Sequence, residues 1–300
     1  MIEHRDFGAT GLRVSVLGFG GAEIGFMNTP MDQVTTLLNA ALDAGINVLD
    51  TAECYNDSEE KIGKAVGHRR KDYLLFTKVG HEHGLGKDAD WSAASIERSI
   101  DRSLKRLATD HLDLVQLHSC KGSELGKGEC IEALERAKKA GKTRLIGYSG
   151  DGSDALAAVM TGRFDALQTS INIADQRVLD DVLPAAARRR MGVIAKRPIA
   201  NAAWQHDQQP TNGYHVEYWK RLKALDYAFC KKPLEEAASM ALRFTLSQPG
   251  VHVAIVGTTR AERIATNVKA AARGSLPPAG IMAIRGRFKS VAGGDWVGQV

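Results

Sequence analysis

Asp50, Tyr55, Lys78 and His118 are of the types, and stand at the spacing, that proton transfer to an oxygen requires. Asp50 closes the apolar run that starts at Ile46, Lys78 closes the run from Tyr73, and His118 closes the run from Leu112. Tyr55 follows Asp50 across the short stretch Thr51-Ala52-Glu53-Cys54, near enough to reach back over the same end. A phenol with an ordinary pKa of about 10 is a poor acid at neutral pH, and an ammonium beside it lowers that value by favouring phenolate. Lys78 is placed to do this. Asp50 would pair with Lys78 and compensate its charge, while His118 would hydrogen-bond a carbonyl oxygen and orient it. Each residue alone has a plainer reading: Asp50 or Ser58 as a helix cap, Tyr55 as a wall, Lys78 as a snorkelling lysine, His118 as a core histidine. Together at matched strand ends they read as an acid site. Lys78 as a Schiff-base nucleophile is a further reading, against which the Asp50 and Tyr55 pairing counts.

Such an arrangement needs parallel strands whose ends converge. Eight short β-branched or apolar runs, Val14–Phe19, Ile46–Leu49, Tyr73–Lys78, Leu112–His118, Arg144–Ser149, Phe164–Ser170, Val193–Arg197 and Val251–Val256, alternate with stretches of helical periodicity. One such stretch, Ser92–Leu107, carries Ile96, Ile100, Leu104 and Leu107 on one face, with Ser92 or Ser95 as its cap. Another begins after Pro233 with acidic residues in its first turn. Gly45, Gly141 and Gly192 stand between helix and strand, where a left-handed cap is expected. Eight βα units predict a closed (β/α)8 TIM barrel, with strand-end side chains gathered at one mouth. Residues 1–12, with the turn Gly8-Ala9-Thr10-Gly11, are expected to form a hairpin over the barrel floor. The segments 198–232, with Trp204, Tyr214, Tyr218 and Trp219, and 277–300, with Trp296, lie outside the repeat. They are candidates for pocket walls or for packing onto the barrel.

Composition limits the function class. With 44% hydrophobic and 25% charged residues in 300, the chain reads as one globular domain, 1–300. The start Met1–Gly11 is charged where a signal peptide would be apolar, and no run of about 18 apolar residues occurs. A soluble cytoplasmic protein without membrane partners is expected. The net charge of +5 is scattered among acids rather than laid in a stripe, which argues against nucleic acid. Cys54, Cys120, Cys130 and Cys230 have no metal-ligand spacing, so no metal is expected and the thiols read as reduced. Cys54 and Cys120 flank the candidate acid site, and oxidation there is a hypothesis that competes with ordinary burial.

The segment Asp50-Thr51-Ala52-Glu53-Cys54-Tyr55-Asn56-Asp57-Ser58-Glu59 resembles the D-T-A-x-x-Y-x-x-S-E signature of the aldo-keto reductase superfamily. Phe76-Thr77-Lys78 and Asp113–His118 resemble its lysine and histidine strands. The resemblance runs over essentially the whole chain and implies the roles that the chemistry gave: Tyr55 as general acid within a tetrad of Asp50, Tyr55, Lys78 and His118. It implies reversible reduction of a small aldehyde or ketone by NAD(P)H, with hydride from nicotinamide C4. A cofactor-binding sensor or interaction subunit with little catalysis is the alternative, since fold does not fix function.

The cofactor reading has a physical part. Gly257-Thr258-Thr259 follows the last strand and precedes a helix in which Arg263 and Asn267 share a face. Amides, hydroxyls and a guanidinium at a helix start make a phosphate site. The resemblance assigns Thr258, Thr259, Arg263 and Asn267 to the adenosine phosphate, Ser149 and Gln168 with Asn172 to the nicotinamide carboxamide, and Gly20 and Gly21 to a close approach of backbone to cofactor, near Asp50. The spacing of Gly18, Gly20 and Gly21 is not a Rossmann fingerprint. Two places depart from the family. Lys196 and Arg197 stand where many members have a stacking aromatic, so these cations are expected to meet cofactor phosphates or an anionic substrate. Gly257 stands where many NADPH-specific members have lysine. Arg263 is still placed to hold a 2′-phosphate, which favours NADPH with NADH possible. The oligomeric state is not legible.

Overall fold

The eight runs pair in chain order as parallel strands and close on themselves. The computed structural model describes residues 2–81 and 90–299, so Met1 and Val300, the ends of the two terminal segments, lie outside the described residues. Strands β1 (His4–Asp6) and β2 (Arg13–Ser15) form an antiparallel hairpin. The barrel strands are β3 (Leu17–Gly20), β4 (Val48–Asp50), β5 (Leu74–Val79), β6 (Leu112–His118), β7 (Thr143–Ser149), β8 (Ala166–Ser170), β9 (Gly192–Lys196) and β10 (Val253–Gly257). Their order, β10-β3-β4-β5-β6-β7-β8-β9, is closed. Barrel strands are covered on both faces, which is why β6 is buried at all seven residues and reads as a near-continuous apolar run.

Register decides what meets at the mouth. Gly257 pairs with Gly20, Gly20 with Asp50, His118 with Ser149, Ser149 with Gln168 and Ser170 with Lys196. The strand ends that carried the candidate residues are therefore neighbours around one rim.

At the opposite end the hairpin plugs the floor. Phe7 is fully buried, stacks on Phe76 at 5.7 Å, and packs with Leu12, Val14, Val48, Leu114, Leu145 and Ile194. The first expected run, Val14–Phe19, is split: its start belongs to the hairpin and its end to β3, because the chain turns there from floor to wall. The helix Ala93–Arg106 buries Ile96 and Ile100, and Ser92 rather than Ser95 caps it, its hydroxyl accepting from the Ser95 amide at 3.3 Å. The helix Leu234–Leu246 starts after Pro233, with Glu235 and Glu236 in its first turn.

Gly45 and Gly141 adopt the left-handed conformation, with φ of +89° and +78°. Gly192 does not, which corrects the expectation. Arg190 takes the left-handed position (φ +54°), and a Cβ on Gly192 would lie 2.5 Å from the Phe7 ring. That glycine is a close approach, not a cap.

The insertion forms the helix Gly213–Leu225 between short 3₁₀ turns, and the tail forms the helix Pro278–Val291. Tyr218, Leu222, Tyr227, Phe244, Ile284 and Phe288 build a second apolar cluster, against which Trp204, Trp219 and Trp296 pack. Those aromatics thus have partners in the packing. Tyr214 is half exposed and lies under the Arg197 guanidinium at 4.8 Å.

Candidate active site

Asp50 and Lys78, each about 2% exposed as side chains, form an ion pair of 2.5 Å, and the Lys78 ammonium also donates to the Thr51 carbonyl at 2.8 Å. Two charges this deep are tolerable only when their remaining valences are filled. The second Asp50 oxygen accepts from Gln168 Nε2 at 3.1 Å and lies 3.5 Å from Gln116 Nε2. Gln168, assigned from the resemblance to the nicotinamide carboxamide, thus spends its amide on Asp50. Gln116 was not singled out in the sequence, although it faces inward on the histidine strand two residues before His118.

The Tyr55 ring lies under Lys78 Nζ, 5.0 Å from ring centroid to nitrogen, and meets His118 edge-on at 5.7 Å. All four expected groups are therefore within one small volume. Burial and then Asp50 push the Tyr55 phenol well above its ordinary value, with Arg197 acting against them. Burial and Asp50 thus outweigh the lowering expected from Lys78, whose ammonium lies over the ring face and is paired with Asp50. Burial and then the nearby Lys78 and Lys196 charges hold His118 well below its ordinary value, so it is a neutral imidazole at neutral pH. Its Nδ1 lies 3.4 Å from Cys54 Sγ, and its carbonyl is 2.7 Å from His81 Nε2.

The loop that carries Tyr55 is braced from behind. The Gly21 amide donates to the Asp50 carbonyl at 2.7 Å, and Ser58 Oγ donates to the Gly21 carbonyl at 2.8 Å. Arg102 donates to the buried Glu53 carboxylate at 2.7 Å, and Thr77 to Glu59 at 2.7 Å. The signature residues around Tyr55 are thus mostly scaffolding for it.

Ser149 Oγ and Asn172 Nδ2 are buried and make no hydrogen bond with the described residues. One hydroxyl and one amide N–H, both orphaned at the ends of neighbouring strands, fit a carboxamide that both donates and accepts. Near them, Lys196 pairs with Asp151 at 3.1 Å. Arg197 lies 3.7 Å from Asp151 and donates to Ser170 Oγ at 3.0 Å and Tyr214 Oη at 2.7 Å. Burial works against the Asp151 charge, but Lys196 and Arg197 outweigh it and hold the carboxyl below its ordinary range. The two cations expected to meet phosphate or substrate are thus engaged by Asp151, which sequence reading passed over although it stands two residues past Ser149.

The turn after β10 is braced by its own hydrogen bonds and leads directly into a helix. The Arg260 amide donates to Thr258 Oγ1 at 3.1 Å, Gln33 Nε2 donates to the Thr259 carbonyl at 2.5 Å, and the helix Ala261–Ala271 begins directly after. Arg263 is exposed on the first turn and Asn267 is half-buried one turn on. Gly20 and Gly257 face each other so closely that a Cβ on Gly20 would be 3.3 Å from the Gly257 amide nitrogen.

Burial pushes the Cys54 thiol up to about 12 and, after the hydrogen bond with Cys130, helps raise Cys120. A protonated, buried thiol is a poor target for oxidants, so the plain reading of these cysteines is the better supported one.

A closed (β/α)8 barrel with a buried acid–base cluster at the C-terminal ends of its strands defines the class: a barrel of the enzyme-bearing kind. The chain belongs to the aldo/keto reductase family, whose model matches residues 16–286. That family is one of NAD(P)H-dependent oxidoreductases. The chain is 30% identical to L-galactose dehydrogenase of Arabidopsis thaliana, over 90% of this chain and 88% of that protein. Among solved structures, aldo-keto reductase AKR11C1 from Bacillus halodurans in its holo form is similar with a TM-score of 0.84 and 28% identity, over 99% of both chains. An aldo/keto reductase from Klebsiella pneumoniae in complex with NADP and acetate has a TM-score of 0.73 and 26% identity, over 95% of this chain and 94% of that one. No helix among the described residues is long and apolar enough to cross a membrane.

Proposed function

We propose that this chain reversibly reduces a small aldehyde or ketone to the alcohol, with Tyr55 as proton donor. The observation that carries the reading is the buried Asp50–Lys78 ion pair set against the Tyr55 ring, with neutral His118 at 5.7 Å from it. The bound nicotinamide supplies or takes the hydride. Ser149 and Asn172 would hold its carboxamide, and the turn Gly257–Thr259 with Arg263 and Asn267 would hold its phosphates. Gly20 and Gly21 would let the backbone approach it. His118 would orient the substrate oxygen, and Tyr55 would deliver the proton to it. A phenol raised in pKa keeps its proton until an oxyanion develops, and Lys78, 5.0 Å from the ring centroid, would help to steady the phenolate that results. In the direction of oxidation the same groups take the proton back.

The substrate would enter between the insertion 198–232 and the tail 277–300, with the whole chain acting as one domain. The similarity to an L-galactose dehydrogenase makes sugars and other polyhydroxy carbonyls the first substrates to try. Arg263, taken by itself, would favour NADPH over NADH.

Replacing Tyr55 with Phe tests the reading. Removing the general acid should cost about 10²–10⁴-fold in turnover, while NAD(P)H binding followed by fluorescence stays within about threefold of the parent. Parent-like turnover in the variant overturns the assignment of Tyr55. Binding of NAD(P)H without turnover over a broad carbonyl panel in the parent would instead identify a cofactor-binding subunit.

A further inference from the structure

The turn that would hold the cofactor phosphates has an uninvited neighbour. Glu23, in the short helix Ala22–Phe26 after β3, lays its carboxylate against Gly257: a Cβ there would meet Glu23 Oε2 at 1.6 Å and Cδ at 2.2 Å. The Glu23 side chain thus fills the space in which a residue-257 side chain would begin. Gly257 and Gly20 are register partners, so the ends of β10 and β3 bring the two residues together. No lysine or arginine among the described residues forms an ion pair with Glu23. Burial raises its pKa, and its own backbone amide is the group that opposes the rise.

Barrels bind phosphates at the loops after their last two strands and at the helix start that follows. Here that place is the turn Gly257–Thr259 and the start of Ala261–Ala271, and Glu23 sets its carboxyl group beside it. The two nicotinamide dinucleotides differ at one group, a ribose 2′-hydroxyl or a 2′-phosphate of nearly two negative charges. A carboxylate accepts a charge-assisted hydrogen bond from a hydroxyl and repels a phosphate. Arg263 acts the other way, but it is exposed, and exposed charges are the more strongly screened.

We propose that Glu23, seated against Gly257, is a specificity-determining residue that selects the dinucleotide with a free ribose 2′-hydroxyl, making this protein an NADH rather than an NADPH enzyme. The inference rests on the reductase reading and reverses the preference that Arg263 alone suggested. Glu23 was passed over in the sequence because nothing local ties it to a glycine 234 positions away.

Titration of the parent, Glu23→Gln and Glu23→Ala with NADH and with NADPH, followed by tryptophan fluorescence and calorimetry, tests it without turnover. The parent should bind NADH at least about tenfold more tightly than NADPH, and both variants should narrow that ratio to about threefold or less by tightening NADPH. Circular dichroism confirms that each variant is folded, and the half-buried position of Glu23 permits either change. A parent that prefers NADPH, or a ratio that both variants leave unchanged, overturns the inference while the reductase reading stands. A parent that binds neither dinucleotide overturns both.

Discussion

Glu59 and Asp50 are both buried carboxylates of the signature segment, and their partners separate them. Asp50 has an ammonium at 2.5 Å, whereas Glu59 has the Thr77 hydroxyl at 2.7 Å and, among the described residues, no closer cation than Arg106 at 3.6 Å. Burial therefore dominates at Glu59 and pushes its pKa up to about 7, from an ordinary 4.5. The folded chain holds this proton more tightly than the unfolded one between those two values. The stabilisation that results is complete below about pH 4.5 and is lost as pH rises through about 7. Glu59→Gln, which cannot ionise, should lack this loss: between pH 4.5 and 8 the parent should fall by about 3 kcal/mol relative to the variant in urea unfolding. Parallel pH profiles for the two proteins would show that Glu59 is ionised in the fold. The signature told which residues belong together, but not which of its carboxylates would be paired, because the lysine and the threonine come from another strand.

At the scale of elements, the hairpin and the start of β9 lock the floor. A Cβ on Gly8 would lie 2.5 Å from the Arg190 carbonyl, and one on Gly192 the same distance from the Phe7 ring. Phe7 is fully buried and stacks on Phe76, so it has little room to retreat. Gly192→Ala should cost roughly 1–3 kcal/mol through overpacking, measured by chemical unfolding, without moving the residues at the mouth. A cost within about 0.5 kcal/mol would mean that the hairpin yields easily. Strand and helix positions were legible because periodicity is local, and seven of the eight runs sit where the barrel strands do to within about two residues. The first run was split and Gly192 misread because both depend on a hairpin that folds back from the other end of the barrel.

At the scale of the whole molecule, the tail returns to the mouth. Arg221 donates to the Val297 carbonyl at 2.7 Å, Arg197 to the Gln299 carbonyl and Arg177 to the Gly293 carbonyl. Trp296 packs beneath the Arg221 guanidinium at 5.5 Å and against Phe288 at 5.8 Å. A chain ending at Ala292 loses these contacts and should be destabilised by roughly 2–4 kcal/mol, with three hydrogen bonds contributing about 1 kcal/mol each. Unchanged unfolding of the shortened chain would show that the tail does not dock on the barrel in solution. Charge placement is likewise a property of the whole: Arg197 belongs to β9's end by sequence, yet its partners come from the β7 loop, β8, the insertion and the tail.

By itself the sequence determined the barrel, its strand order and the polar residues Asp50, Lys78 and His118 near strand ends, with Tyr55 in the loop after Asp50. Each strand carries its own alternation and each signature its own spacing, and a parallel barrel converts chain order into neighbourhood. Tertiary structure alone decided where charge ends up: that Asp151 engages Lys196 and Arg197, that Gln168 serves Asp50, and that Glu23 stands at Gly257. Those pairings join residues up to 234 positions apart, and Coulomb forces in a buried mouth act on distance in space, which no local pattern records.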